Sequence, residues 1–244
     1  MKQQAATAEP EIRPLDSAFM WRVFCVFGVL ALLSVLISIG GKWLGESIVM
    51  AGHTDDTTVH HIVIGNNVVS VPANTIRFER DRRDGIASRL DLYLHWPDMH
   101  GYSAVLSNDF NNVGGTRRII FLSIEERMMS RDMSGRFEPI YRSLIVPRGR
   151  TGPSGIVFYD FNEKSGYINE ELALAIRAGE EPFVARCLTG PSAEESLAPC
   201  ERDIHVGDDL SLTYRFSFEL LKDWKALDRA IVGQARKLIR SGKS

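Results

Sequence analysis

The residues best suited to acid–base work or ligand binding fall in one short stretch, His95, Asp98 and His100, with Trp96 and Tyr102 beside them. Two imidazoles and a carboxylate this close in sequence can exchange protons near neutral pH or hold a ligand. They stand where a strongly patterned strand runs into a loop at Pro97, a common place for functional side chains. The plain alternative is a strand end followed by an exposed loop.

A second group, His53, His60 and His61 with Asp55 and Asp56, offers the imidazoles and carboxylates that zinc or copper takes. Successive His60 and His61 would point to opposite faces of a strand, so a solvated linker is the stronger reading. Asn108, Asp109, Asn111 and Asn112 carry oxygen ligands suited to calcium but lack an EF-hand register, and read as a polar loop. Arg127, Arg131, Arg136 and Arg142, near Asp132 and Glu138, read as surface ion pairs, with an anion site as the alternative. The sequence has no Gly-x-Ser-x-Gly elbow, Ser-x-x-Lys, His-Glu-x-x-His, dinucleotide fingerprint or phosphate loop. No cofactor is implied. An enzyme of this sequence would be a hydrolase or metal-dependent catalyst built on residues 95–100, and a non-enzymatic binding module needs none of these motifs.

These residues follow one long apolar run, residues 19–39, FMWRVFCVFGVLALLSVLISI, opening on Phe19 and closing on Ile39. The run is long enough to cross a bilayer as a helix, so the first expected partner is lipid. Lys2 and Arg13 precede it, Arg22 lies within its first turn, and only Lys42 follows closely, a bias that leaves the N-terminus in the cytoplasm and the large domain outside. Trp21 and Trp43 fit an aromatic belt. A cleavable signal peptide is the competing reading, disfavoured by the length of the run and by the long, partly acidic segment ahead of it. The expected organisation is a tail over 1–17, a transmembrane helix over 18–40 and a juxtamembrane linker over 41–58. A β-rich domain over 59–216 and an amphipathic helix over 217–241 follow.

The net charge of -2, with acids and bases interspersed, excludes a concentrated basic face and hence a nucleic-acid partner. Cys25 lies in the apolar run, whereas Cys187 and Cys200 bracket a polar loop containing Gly190, Pro191 and Pro199. A disulfide between that pair is expected, in an oxidising compartment.

From residue 59 the pattern is that of strands. His61 to Ile64 and Val68 to Val71 flank an Asn66-Asn67 turn, and Leu90, Leu92, Leu94 and Trp96 alternate with Arg89, Asp91, Tyr93 and His95. Further strands are expected over 118–124, 156–161, 166–169, 172–176, 182–188, 203–206 and 210–216, with Gly207-Asp208-Asp209 as a hairpin tip. Frequent strands without intervening helices predict an antiparallel β-sandwich or barrel-like sheet. The C-terminal segment has Leu220, Trp224, Leu227, Ile231 and Leu238 at helical spacing behind Ser217 as N-cap. Its apolar stripe docks on the sheet, binds a partner or a second copy in a homo-oligomer, or lies on the membrane.

At the stretches VSVPANTIRF, RLDLYLHWPD, MSRDMSGRFEPIYR, PFVARC and CERDIHVGDDLSLTYRF the chain resembles a family of alphaproteobacterial membrane-anchored proteins to which no catalytic or ligand signature is attached. The resemblance implies a bacterial inner membrane with the domain in the periplasm. Together these observations point to a periplasmic binding or scaffolding module of the cell envelope, with an envelope protein as partner.

Overall fold

The computed structural model describes residues 17–50 and 52–242, with side chains omitted over 39–50. The expected tail before residue 17, and the side chains of Lys42 and Trp43, lie outside the described residues. The chain forms two compact units, divided between Ala51 and Gly52.

The described residues of the first unit form one helix, Ser17–Met50. Within it Ser17–Ser38 has a mean hydropathy of 2.3 and no buried share, so it is long and apolar enough to cross a membrane by length and composition. Cys25 is exposed on this helix with a free thiol. The helix continues through 41–50, part of the expected linker. Gly40 and Gly41 do not end it, because each glycine lowers helix propensity by only about 1 kcal/mol.

The second unit is mainly β, with two sheets and no closed barrel. In chain order the strands are β1 Val59–Ile64, β2 Asn67–Pro72, β3 Gly85–Ile86, β4 Arg89–His95, β5 Ile119–Glu126 and β6 Arg150–Thr151. Then come β7 Val157–Asp160, β8 Glu170–Ala175, β9 Phe183–Leu188, β10 Cys200–Val206, β11 Leu210–Phe216 and β12 Ile239–Ser241. The smaller sheet has the order β12-β2-β1-β3 and the larger β4-β5-β11-β10-β9-β8-β7-β6. All pairs in the larger sheet are antiparallel.

The first hairpin turns one residue earlier than its sequence suggests. Ile64 pairs with Asn67, so the two-residue loop is Gly65-Asn66, with Gly65 at φ 54°. A primed hairpin turn needs positive φ, which glycine supplies without strain. Asn67 is thereby freed for the core side. It is fully buried, its Nδ2 donates to the Ile64 and Asp208 carbonyls, and its Oδ1 accepts from the Asp208 N–H and the Ser241 hydroxyl. One side chain thus ties the first hairpin to the β10–β11 hairpin and to β12. Gly207 at that second hairpin is required by contact, since a Cβ there would lie 2.6 Å from Asn67 Oδ1.

Alternation sorts the larger sheet into two faces. Leu90, Leu92 and Leu94 of β4 align with Ile124, Leu122 and Ile120 of β5, and all are buried. Across this core face lie Ile62, Ile64, Val69 and Val71 of the smaller sheet and the stripe Trp224, Leu227, Ile231 and Ala235 of the C-terminal helix, Trp224–Leu238. Each buried Leu or Ile contributes roughly 1.5–3 kcal/mol. The amphipathic stripe therefore docks on the unit's own core. Two details of the helix differ from the pattern. Ser217 opens a 3₁₀ turn, Phe218–Asp223, without a side-chain cap, and the chain leaves the helix at Leu238 to add β12 beside β2. A second cluster, Met133, Phe137 and Tyr141, packs on Leu172, Leu174 and Val184 and covers the opposite face at its β8–β9 end.

Cys187 and Cys200 form a disulfide across β9 and β10. Closing a loop of this size removes unfolded-state entropy worth about 3 kcal/mol. Urea unfolding of the full chain in detergent should show the Cys187→Ser/Cys200→Ser double variant destabilised by about that amount. Equal midpoints and slopes for both proteins would contradict it.

Candidate functional site

Of the three residues 95, 98 and 100, the side chains of His95 and Asp98 approach each other, whereas His100 meets His95 through the main chain. His95 is 4% exposed, and its Nε2 is hydrogen-bonded to Asp109 Oδ2 at 2.8 Å. Its Nδ1 has no hydrogen-bond partner and lies 3.8 Å from the Asp98 carboxylate, which is itself largely exposed. His100 meets His95 only through the main chain, its carbonyl accepting the His95 N–H at 2.8 Å, and its side chain is exposed. Asp109, which reads as a loop residue in the sequence, is the real partner. Hydrogen bonding from the Thr116 hydroxyl holds its carboxyl below the usual range, with His95 adding to this against slight burial. The imidazole therefore faces two carboxylates and pins the 96–116 loop to β4.

The histidines at 53, 60 and 61 diverge. His53 stacks on Tyr102 with centroids 4.7 Å apart, meets Tyr93 and Phe110 edge-on, and shares a hydrogen bond with the Tyr93 hydroxyl at 3.1 Å. Burial, then the Arg82 charge, lowers its pKa from 6.5 against a hydrogen bond with Asn111 that raises it. His60 pairs with Asp84 at 3.2 Å and His61 with the Ser70 hydroxyl at 2.9 Å. Among the described residues, no three His, Cys, Asp or Glu side chains gather as metal ligands. The arginines scatter likewise. Arg127 pairs with Asp209, Arg136 with Asp203 and Arg142 with Glu138, while Arg131 reaches the Gly135 carbonyl.

The densest buried polar cluster is one that sequence spacing does not reveal. Asp228, on the buried face of the C-terminal helix, accepts from Arg202 Nε at 3.0 Å and the Tyr214 hydroxyl at 2.7 Å on one oxygen, and from Arg177 Nη2 at 2.6 Å on the other. Arg202 also donates to the Ser134 hydroxyl and the Val184 carbonyl. Burial pushes the Asp228 carboxyl up, but Arg202, Tyr214 and Arg177 outweigh it and hold the pKa below its ordinary value. An open cleft of about 610 Å³ runs beside the cluster, with Asp132, Glu180, Glu181 and Arg236 among its walls.

The remaining surface of interest is the outer face of β4, β5, β11 and β10. Cross-strand register lays its side chains in rows: Arg89, Glu125 and Ser211; Asp91, Ser123, Thr213 and Asp203; Tyr93, Phe121, Arg215 and Glu201. At one side Tyr93 is roofed by His53, Tyr102 and Phe110. Toward β8 and β9 the cluster around Met133, Phe137 and Tyr141 covers the sheet. Between these the face holds a shallow trough of about 330 Å³, lined by Arg77, Arg89, Asp91, Ser123, Glu125 and Arg215 among others. The alternation at Arg89 and Asp91 indicates a polar face. That the charges of four strands meet in one trough depends on strand order, which no local pattern encodes.

No protein-family model matches the sequence, and no curated protein matches it. Two solved structures are similar. An immunity protein of the Stenotrophomonas maltophilia type IV secretion system shares 15% identity, with 78% of this chain and 96% of that chain covered at a TM-score of 0.47. The iron-regulated outer membrane lipoprotein of Neisseria meningitidis shares 7% identity, with 77% and 97% covered at a TM-score of 0.45. Likeness at that level carries no functional argument.

Removing Asp228 would strand the buried Arg202 without its counter-charge, a loss of about 3–5 kcal/mol. Denaturant unfolding of Asp228→Ala should show that loss; a variant within 1 kcal/mol, roughly a surface-substitution effect, would make the cluster energetically idle.

Proposed function

We propose that this chain is a single-pass inner-membrane protein of the bacterial envelope whose β-rich unit, held in the periplasm, binds or scaffolds a protein partner through the outer face of its larger sheet. The observation that carries the reading is that open face, where charged rows cross four strands between two covered flanks. The apolar stripe of the C-terminal helix is already committed to the core, which leaves the open sheet face for a partner.

Several observations support the setting. The Ser17–Ser38 segment suits a bilayer, with Lys2 and Arg13 before it and Arg22 near its start against Lys42 after it. The Cys187–Cys200 disulfide suits an oxidising compartment, and the alphaproteobacterial resemblance agrees with both. A tether also serves a binding role physically, because confinement near a membrane raises the effective concentration of the domain toward other membrane proteins. The hydrolase or metal-dependent alternative loses ground at His95, which is 4% exposed and which His100 meets only through the main chain.

Two experiments test this reading. A photoreactive phenylalanine at Thr213 or Glu125, on the open face, should give a discrete crosslinked adduct in native membranes, whereas the same group at exposed Lys225 should not. Absence of adducts from both face positions would remove the proposed surface. A reporter active only outside the cytoplasm, fused after Ser244, should be active. Activity of only a cytoplasmic reporter there would reverse the orientation.

A further inference from the structure

We infer that the trough on the open face receives an acidic side chain from an extended segment of the partner protein, its carboxylate taken between Arg77 and Arg215 beside the Ser123 hydroxyl. This rests on the reading that the open face is the partner surface, and names what that surface recognises.

The first observation is an unspent hydroxyl. Ser123 is 8% exposed, and among the described residues its buried Oγ has no hydrogen-bond partner. Leaving such a group unpaired costs about 1–3 kcal/mol, which an incoming acceptor recovers. Ser123 is the middle of a row, between Asp91 and Thr213, on the floor of the trough.

The second is uneven pairing of charge: the trough's three arginines, Arg77, Arg89 and Arg215, equal its carboxylates, Asp91, Glu125 and Glu201, in number but not in contact. Arg89 is fully engaged, donating to both Asp91 oxygens at 2.9–3.1 Å. Arg215 is not, because its carboxylate neighbour Glu201 lies 4.0 Å away and already accepts from Arg186 at 2.9 Å. Among the described residues Arg77 has no carboxylate partner. Its guanidinium instead sits 4.9 Å from the centroid of Phe121 and 5.1 Å from that of Phe78. Stacking holds a guanidinium in place while leaving its N–H donors at the edge. Arg215 is the cross-strand neighbour of Phe121, so two under-compensated cations flank the ring at one end of the trough. A carboxylate there accepts charge-assisted hydrogen bonds from the arginines and one from the serine.

The third is shape. A trough that lies open across several strands cannot enclose a small molecule, whose sites bury most of the ligand surface. An extended polypeptide laid on the face satisfies the same contacts with its neighbouring residues covering the rest.

The test uses the full chain in detergent micelles and a fluorescein-labelled peptide, Ser-Val-Glu-Val-Ser, against its Gln counterpart. The Glu peptide should bind about tenfold more tightly. Arg77→Gln, Arg215→Gln and Ser123→Ala should each reduce that preference, with unchanged melting temperatures confirming that the variants fold. Equal binding of the two peptides, no binding of either, or a preference untouched by the three substitutions would overturn the inference. If adducts from Thr213 persist in that case, only the recognised chemistry is wrong. If they too are absent, the surface is.

Discussion

After two residue pairs, Cys187 with Cys200 and Arg186 with Glu201, β9 and β10 part company, and everything in the larger sheet depends on how that gap is closed. The Leu188 N–H donates to the Pro199 carbonyl, so by alternation the main-chain groups of Val184 point into the gap. A ladder acceptor is thereby left without its strand. The Arg202 guanidinium supplies the missing donor at 2.9 Å, and is itself neutralised by Asp228 from the C-terminal helix. The disulfide sits where the split begins and fixes its origin, while the Arg202–Asp228 pair spans its mouth. Helix and sheet are thus joined by one carboxylate that accepts three hydrogen bonds, and Arg202 extends the joint to Ser134.

This arrangement separates structural chemistry from surface chemistry. A buried ion pair contributes little net stability against a well-packed apolar alternative, but removing either partner is costly. The Arg202 cluster therefore acts as a fixed joint. On the outer face the opposite holds: charges there are partly exposed, only partly matched, and backed by a sheet whose core side is apolar. Such a face keeps its side chains in register without being consumed by the fold, which is what a recognition surface requires.

The elements were largely legible in the sequence, because their periods are local. Leu90, Leu92 and Leu94 alternate as buried strand residues do, Trp224 to Ile231 follow the helical repeat, and Gly207-Asp208-Asp209 makes the turn its composition suggests. The hairpin at Gly65-Asn66 and the continuation of the first helix to Met50 were less legible. There the outcome rests on Asn67 being wanted in the core and on propensity summed over a long segment. The site was the least legible. Asp109 lies 14 positions from His95, and Arg202 and Asp228 are 26 apart, so no spacing rule brings them together. The trough exists only because β11 inserts between β5 and β10.

The central claim is that the outer face of β4, β5, β11 and β10 is covered by a partner where the protein works. Carboxyl footprinting of Glu125, whose side chain is 40% exposed, against Glu219, exposed at the start of the C-terminal helical segment, tests it most directly. Glu125 should be labelled readily in the purified protein and protected in native membranes, while Glu219 reacts equally in both. Equal labelling of Glu125 in the two preparations would contradict it.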